Sequence, residues 1–166
     1  MIYRNTVLVI LCTACSFFAV AQQSTPDPAI TATIRQLFKG MENGDSAQVH
    51  ATFTRDITLA TIRRDEAGNP VLRRESSADA FLKAVGTPHP KVWYEEIWDV
   101  KVQQDGDFAQ VWCDYAFYIG NTFSHCGVDA FQLHKQKGGW KIFHLADTHR
   151  AENCAIPKSV EQKHKP

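Results

Sequence analysis

The chain has 166 residues, 18 Lys plus Arg against 18 Asp plus Glu, and 44% hydrophobic residues. That length supports one domain with a single core. The mixed, balanced charge, with no basic run among aromatics and no basic amphipathic helix, argues against nucleic acid and membrane surfaces as partners.

Residues 1–21 have the pattern of a cleaved signal peptide. Arg4 supplies the positive start, Val7 to Val20 is an apolar run, and Ala19-Val20-Ala21 is a small-x-small cleavage site. The run is too short for a membrane span, so no membrane association is expected after cleavage. A lipoprotein signal is the rival reading, but Leu11 is bulky for cleavage before Cys12, and Cys12 stands three residues before Cys15. The expected location is secreted or periplasmic. Three cysteines follow the cleavage site: Cys113, Cys126 and Cys154. Their spacing matches no zinc pattern. Cys113 reads as a small buried hydrophobe, and a Cys126–Cys154 disulfide would pin the chain end.

Residues 22–26 are a short polar lead-in, residues 27–150 the domain and residues 151–166 a C-terminal tail. Asp27 caps a helix with Pro28 in its first turn, and Ile30, Ile34, Leu37, Phe38 and Met41 share one face. Asn43-Gly44 stops it. Asp45 caps a second short helix, with Gln48 at the capping-box position. Ile57 to Ile62 alternates as a strand, residues 65–70 turn, and Val71 to Arg74 forms a short strand. Arg63, Arg64, Arg73 and Arg74 are solvated charge around that turn. Ser76 and Asp79 mark a third helix, ended by Pro88 and Pro90. Four strands then follow: 91–104, 108–119, 122–135 and 140–149. Asp105-Gly106, Gly120-Asn121 and Lys137-Gly138-Gly139 are the turns between them. Helices first and strands last predict an α+β fold, an antiparallel meander with helices on one face.

Pairing outward from those turns predicts which side chains meet. With Ile119 opposite Thr122, and Lys135 opposite Trp140, one face carries Trp112, Asp114, Ala116, Tyr118, His125, Gly127, Asp129, Phe131, Leu133, Trp140, Ile142, His144 and Thr148. The other carries Val111, Cys113, Tyr115, Phe117, Cys126, Val128, Phe143, Leu145 and Asp147. Both faces are largely apolar. The first is expected to pack on the helices, and a second copy of the chain to cover the other, giving a homodimer. The expected ligand pocket is then lined by Trp112, Tyr118, Asp129, Phe131, Trp140 and His144. Asp114 and His125, diagonal across their hairpin, would form an acid–base pair. The competing reading is a satisfied polar network that fixes strand register. Asp147 is expected to cap the last strand or pair with Arg150. No metal and no cofactor is expected.

The order helix, Asn43-Gly44-Asp45, short helix, Phe53 to Leu59, helix and long meander resembles the nuclear-transport-factor-2-like (SnoaL-like) superfamily. The likeness extends through Glu75-Ser76, Phe81-Leu82, Phe108 to Val111, Tyr115 to Phe117, His125 to Phe131, Gly139 to Ile142 and Asp147-Thr148. It is most similar to the secreted bacterial set described as putative lumazine-binding. The resemblance implies a cone-like curved antiparallel sheet of the cystatin-like kind, with N-terminal helices on one face. It implies little about function, because that fold hosts isomerases, cyclases, hydratases and binding modules. In ketosteroid isomerases of this fold, the tyrosine donor and the aspartate base would fall at Leu37 and Thr61. Neither residue type does that chemistry, so the resemblance does not carry the isomerase mechanism here. Three readings follow: a secreted protein that binds a small, partly apolar ligand; a cofactor-independent isomerase, dehydratase or hydrolase using Asp114 and His125; or a dimeric interaction module.

Overall fold

The structure is a computed structural model that describes residues 25–165; the leader at residues 1–21 and its cysteines lie outside the described residues. Helix α1 (Pro28–Asn43) begins at Asp27, whose carboxylate accepts from the Ala29 amide at 2.9 Å. It ends at Gly44, whose φ of 66° is the left-handed conformation that a Cβ disfavours. Asp45 caps α2 (Ser46–His50), accepting from the Gln48 amide at 2.9 Å. The Gln48 side chain does not close a capping box; it donates to the Gln36 carbonyl at 3.0 Å and so ties α2 to α1. Strands β1 (Phe53–Arg64) and β2 (Pro70–Glu75) form a hairpin, and α3 (Asp79–Gly86) follows. Ala78, not Ser76, stands at the α3 N-cap, with no side-chain cap bond.

Strands β3 (Trp93–Asp105), β4 (Phe108–Ile119), β5 (Thr122–Gln136) and β6 (Gly139–His149) form the expected meander. The full sheet runs β2-β1-β6-β5-β4-β3. One pairing, β1 with β6, is parallel, and the long crossover that such a pair needs is the chain between them, β2, α3 and the strands β3 to β5. Asp27 anchors the start of α1 to the sheet. Its Oδ2 accepts from Trp140 Nε1 at 2.9 Å and from Lys135 Nζ at 3.1 Å, and its amide donates to Gln104 at 2.7 Å. Ile30, Ile34, Leu37 and Met41 then pack on Val111, Cys113, Phe131, Leu133, Trp140 and Ile142.

Both turn assignments hold: Ile119 pairs with Thr122, and Lys135 with Trp140. Two β-bulges inside the strands nevertheless change which face is which. Tyr118 pairs with Phe123 but Phe117 with His125, so Ser124 is an extra residue on β5. Gln132 pairs with His144 but Leu133 with Ile142, so Phe143 is an extra residue on β6. A third bulge interrupts β3 between Trp98 and Lys101, where Asp99 has φ 49°. Each bulge bends its strand and passes one residue without a partner, which moves the following side chains to the other face. The inner face therefore joins Val111, Cys113, Tyr115 and Phe117 to His125, Asp129, Phe131 and Leu133, and then to Leu145 and Asp147.

The outer face is covered at one end by the chain itself. Residues after β6 lead into α4 (Lys158–Lys163), and Val160, Ile156 and Cys154 pack against Ala116, Tyr118 and Cys126. Cys154 is disulfide-bonded to Cys126, while Cys113 is a free, buried thiol. His164 stacks on Tyr118 at 3.9 Å and meets Glu96 at 3.1 Å, where Lys163 also binds at 2.6 Å. At the other end, Trp112, Phe108 and Val100 are exposed.

Candidate functional site

Between α1, α3 and the inner face lies a cavity of about 440 Å³. The helices and the far side of the sheet make it apolar, through Leu37, Phe38, Met41, Phe81, Leu59 and Leu145. The sheet also makes one end polar. Glu95 on β3, Tyr115 on β4, His125 and Asp129 on β5, Asp147 and His149 on β6 and Thr61 on β1 all face it. Strand alternation places them there: Glu95 lies between Trp93 and Ile97, and Asp129 and Asp147 are cross-strand partners. Gly127 permits the arrangement. A Cβ there would collide with the Thr148 carbonyl and come within 2.6 Å of the Tyr115 ring. That close approach lets the Tyr115 hydroxyl donate to the Thr148 carbonyl at 3.0 Å, with Asp147 at 3.3 Å.

The polar end holds three carboxyls from three strands. Asp129 is 2% exposed, and its Oδ2 has no hydrogen-bond partner among the described residues. The Glu95 and Asp129 carboxyls act on one another in the cavity wall, and two carboxylates have only acceptors, so a proton shared between them relieves the contact. Burial, and then the charge of Asp147, push Glu95 up to about 8. Burial, and then Glu95, push Asp129 well above the ordinary aspartate range. Asp147 is raised by burial, against which hydrogen bonds from Thr61 (2.6 Å) and Tyr115 favour its ionised form. The two imidazoles stack at 3.7 Å. Burial, and then His149, hold His125 down at about 4, and burial lowers His149. The cavity thus combines imidazoles that burial holds towards the neutral form, a proton-sharing carboxyl pair and a carboxyl bound by two hydroxyls. Among the described residues no cluster of His, Cys, Asp and Glu is arranged to hold a metal ion.

The sequence pattern of the family described as "Putative lumazine-binding" matches residues 25–145. The chain belongs to that family. No curated protein matches it. Among solved structures, this family member is similar to a cystatin-like-fold protein of unknown function from Nostoc punctiforme, with 12% identity over 78% of this chain and 92% of that one (TM-score 0.58). It is similar to the beta subunit of a putative aromatic-ring-hydroxylating dioxygenase from Novosphingobium aromaticivorans, with 12% identity over 75% and 89% (TM-score 0.61). It is also similar to a putative dehydratase from the NTF2-like family of Streptomyces avermitilis, with 15% identity over 75% and 95% (TM-score 0.59). These likenesses establish the cystatin-like, NTF2-like fold.

Of the residues expected to form the site, His125 and Asp129 line the cavity. The others do not. Asp114 pairs with Trp98 and Val128 on the outer face, so no Asp114–His125 unit forms. His144 is also outward, with Nδ1 2.7 Å from Thr58 Oγ1. Trp112 is 48% exposed, and Tyr118 packs under the tail. Phe131 and Trp140 face inward but belong to the core; Phe131 meets Phe38 edge-on, and Trp140 donates to Asp27. Asp147 neither caps the strand nor pairs with Arg150, because the bulge at Phe143 turns it into the cavity. Sequence reasoning passed over Glu95, Tyr115 and His149. The signal for Glu95 was present: an acid at the centre of the i, i+2, i+4 series Trp93, Glu95, Ile97 must point into an apolar layer.

Proposed function

We propose that this chain is an exported small-molecule-binding protein whose ligand lies in the cavity between α1, α3 and the sheet. The observation that carries the reading is that cavity: about 440 Å³, with one apolar wall and one end of converging polar groups. Pockets for small molecules have this size and this division of labour, apolar surface for affinity and a few placed polar groups for orientation. The family's description points to the same class of ligand. Export is supported by the signal-like residues 1–21 and by the Cys126–Cys154 bond, which suits an oxidising compartment. The exposed Trp112, Phe108 and Val100 support a second copy on the outer face. Native mass spectrometry of the protein purified from its own host tests the reading. A stoichiometric added mass, lost on Asp129→Asn, is expected. A bare protein that also gains no mass from a small-molecule library would refute it.

A second reading rests on the proton-sharing pair. A carboxyl that holds its proton to about pH 8 beside neutral imidazoles is a competent general acid, with His125 or His149 as base. Dehydration or isomerisation of the bound molecule would need no more. Turnover lost in both Glu95→Gln and His125→Gln supports this reading; turnover kept in both removes it.

A further inference from the structure

The cavity wall is unbalanced in charge. Glu75, Glu95, Asp129 and Asp147 line it, and none of its lining residues is Lys or Arg. Glu75 has its own partner, Arg73 at 3.2 Å. The other three do not: Asp147 takes two hydroxyl donors, Glu95 and Asp129 have one another, and Asp129 Oδ2 is buried without a partner on the cavity wall. Charge buried without a counter-charge is costly unless a ligand supplies one. No metal-holding cluster exists among the described residues, and the apolar wall opposite suits an organic body. Resting on the reading that the cavity binds a small molecule, we propose that its ligand is an organic cation, a protonated amine or amidine on a flat apolar body. The cationic head lies between Asp129, Glu95 and Asp147, and the body lies against Phe38 and Phe81.

The stacked His125 and His149 fit this assignment. Held towards the neutral form by burial, they add little competing charge beside the head group, and they stack as a flat pair in the cavity lining. Binding a cation there displaces the proton shared by Glu95 and Asp129. The other groups facing that pair are Tyr115 and Cys113 from β4, Asp147 and His149 from β6, and His125 from β5. Burial raises the Tyr115 and Cys113 hydroxyl and thiol far above neutrality, holds His125 down at about 4 and lowers His149. The released proton therefore comes from the carboxyl pair, and cation affinity rises with pH from about 6 to 8.

The test uses three probes of one shape on the full chain: benzamidine (cation), benzamide (neutral) and benzoate (anion), followed by calorimetry at pH 6, 7 and 8. Benzamidine is expected to bind at least about tenfold more tightly than benzamide at pH 7, to tighten with pH, and to release protons. Benzoate is expected not to bind. Glu95→Gln combined with Asp129→Asn should abolish the preference, and Glu95→Gln alone should reduce it if the double variant does not fold. Equal binding of benzamide, or preference for benzoate, overturns the cation assignment and leaves the pocket standing. Failure of all three, together with failure of neutral N-phenyl-1-naphthylamine, overturns the pocket as well.

Discussion

Glu95→Gln should stabilise the protein above pH 6.5 and flatten its dependence on pH. Glu95 holds its proton to about 8 when folded, whereas the unfolded chain releases it near the ordinary value of about 4.3. The folded state binds the extra proton, so stability is greatest below the unfolded value and is lost as pH rises towards 8. His125 works the other way. Its folded value of about 4 means that its contribution is present above about 6.5 and lost as pH falls through 4. Between about pH 4.5 and 6.5 the two slopes oppose and largely cancel. From 6.5 to 8 the Glu95 slope is no longer opposed by His125, and about one and a half pH units at about 1.4 kcal/mol each give about 2 kcal/mol. For a domain of this size that is a fall in Tm of roughly 5 °C. In Glu95→Gln the fall should shrink, because the amide stays neutral and can donate to Asp129, leaving only the part that burial of Asp129 supplies. Thermal melts of both proteins by circular dichroism at pH 6.5, 7.2 and 8.0 measure it. A native Tm that is flat or rising over that interval, or a variant with the same fall, would show that the pair is not proton-sharing.

Other substitutions probe the rest of the account. Gly127→Ala should cost about 3 kcal/mol or more in urea unfolding, because backbone as well as the Tyr115 ring must move; a cost under about 1 kcal/mol would mean that the close approach is wrong. Cys154→Ser opens a loop with a sequence separation of 28, and loop-closure entropy puts the loss at about 3–4 kcal/mol. The same loss should appear on adding reductant to the native protein, and no response to reductant would contradict it. Asp114→Asn and His144→Ala should leave probe binding unchanged, whereas His125→Gln and Asp129→Asn should alter it; the reverse pattern would restore the unbulged register.

Much of the fold was legible because its signals are local. Asp27-Pro28 and Gly44 bracket α1, and its apolar spacing places Ile30, Ile34, Leu37 and Met41 on the core. The glycine turns fix two hairpin registers at their ends. Bulges are different. Neither Ser124 nor Phe143 is a glycine or proline, and both lie within runs that alternate acceptably in either register. Their cause is global, the curvature a half-cone needs to wrap its helices. Each shift exchanges one face for the other, so Asp114 and His144 move out while Tyr115 and Asp147 move in. His125 and Asp129 lie between the two bulges, and the Ser124 bulge turns β4 over against them rather than turning them out. The parallel β1–β6 pairing was likewise invisible, since nothing in either strand's composition specifies a partner across so much chain.

Chemical-shift mapping of the isotope-labelled protein titrated with benzamidine locates the bound cation residue by residue. Saturable shifts are expected at Glu95, Tyr115, His125, Asp129 and Asp147, and at Phe38 and Phe81 across the cavity, with Trp112, Asp114 and His144 unmoved. Shifts concentrated on those three outer-face residues, with the cavity silent, would contradict that placement.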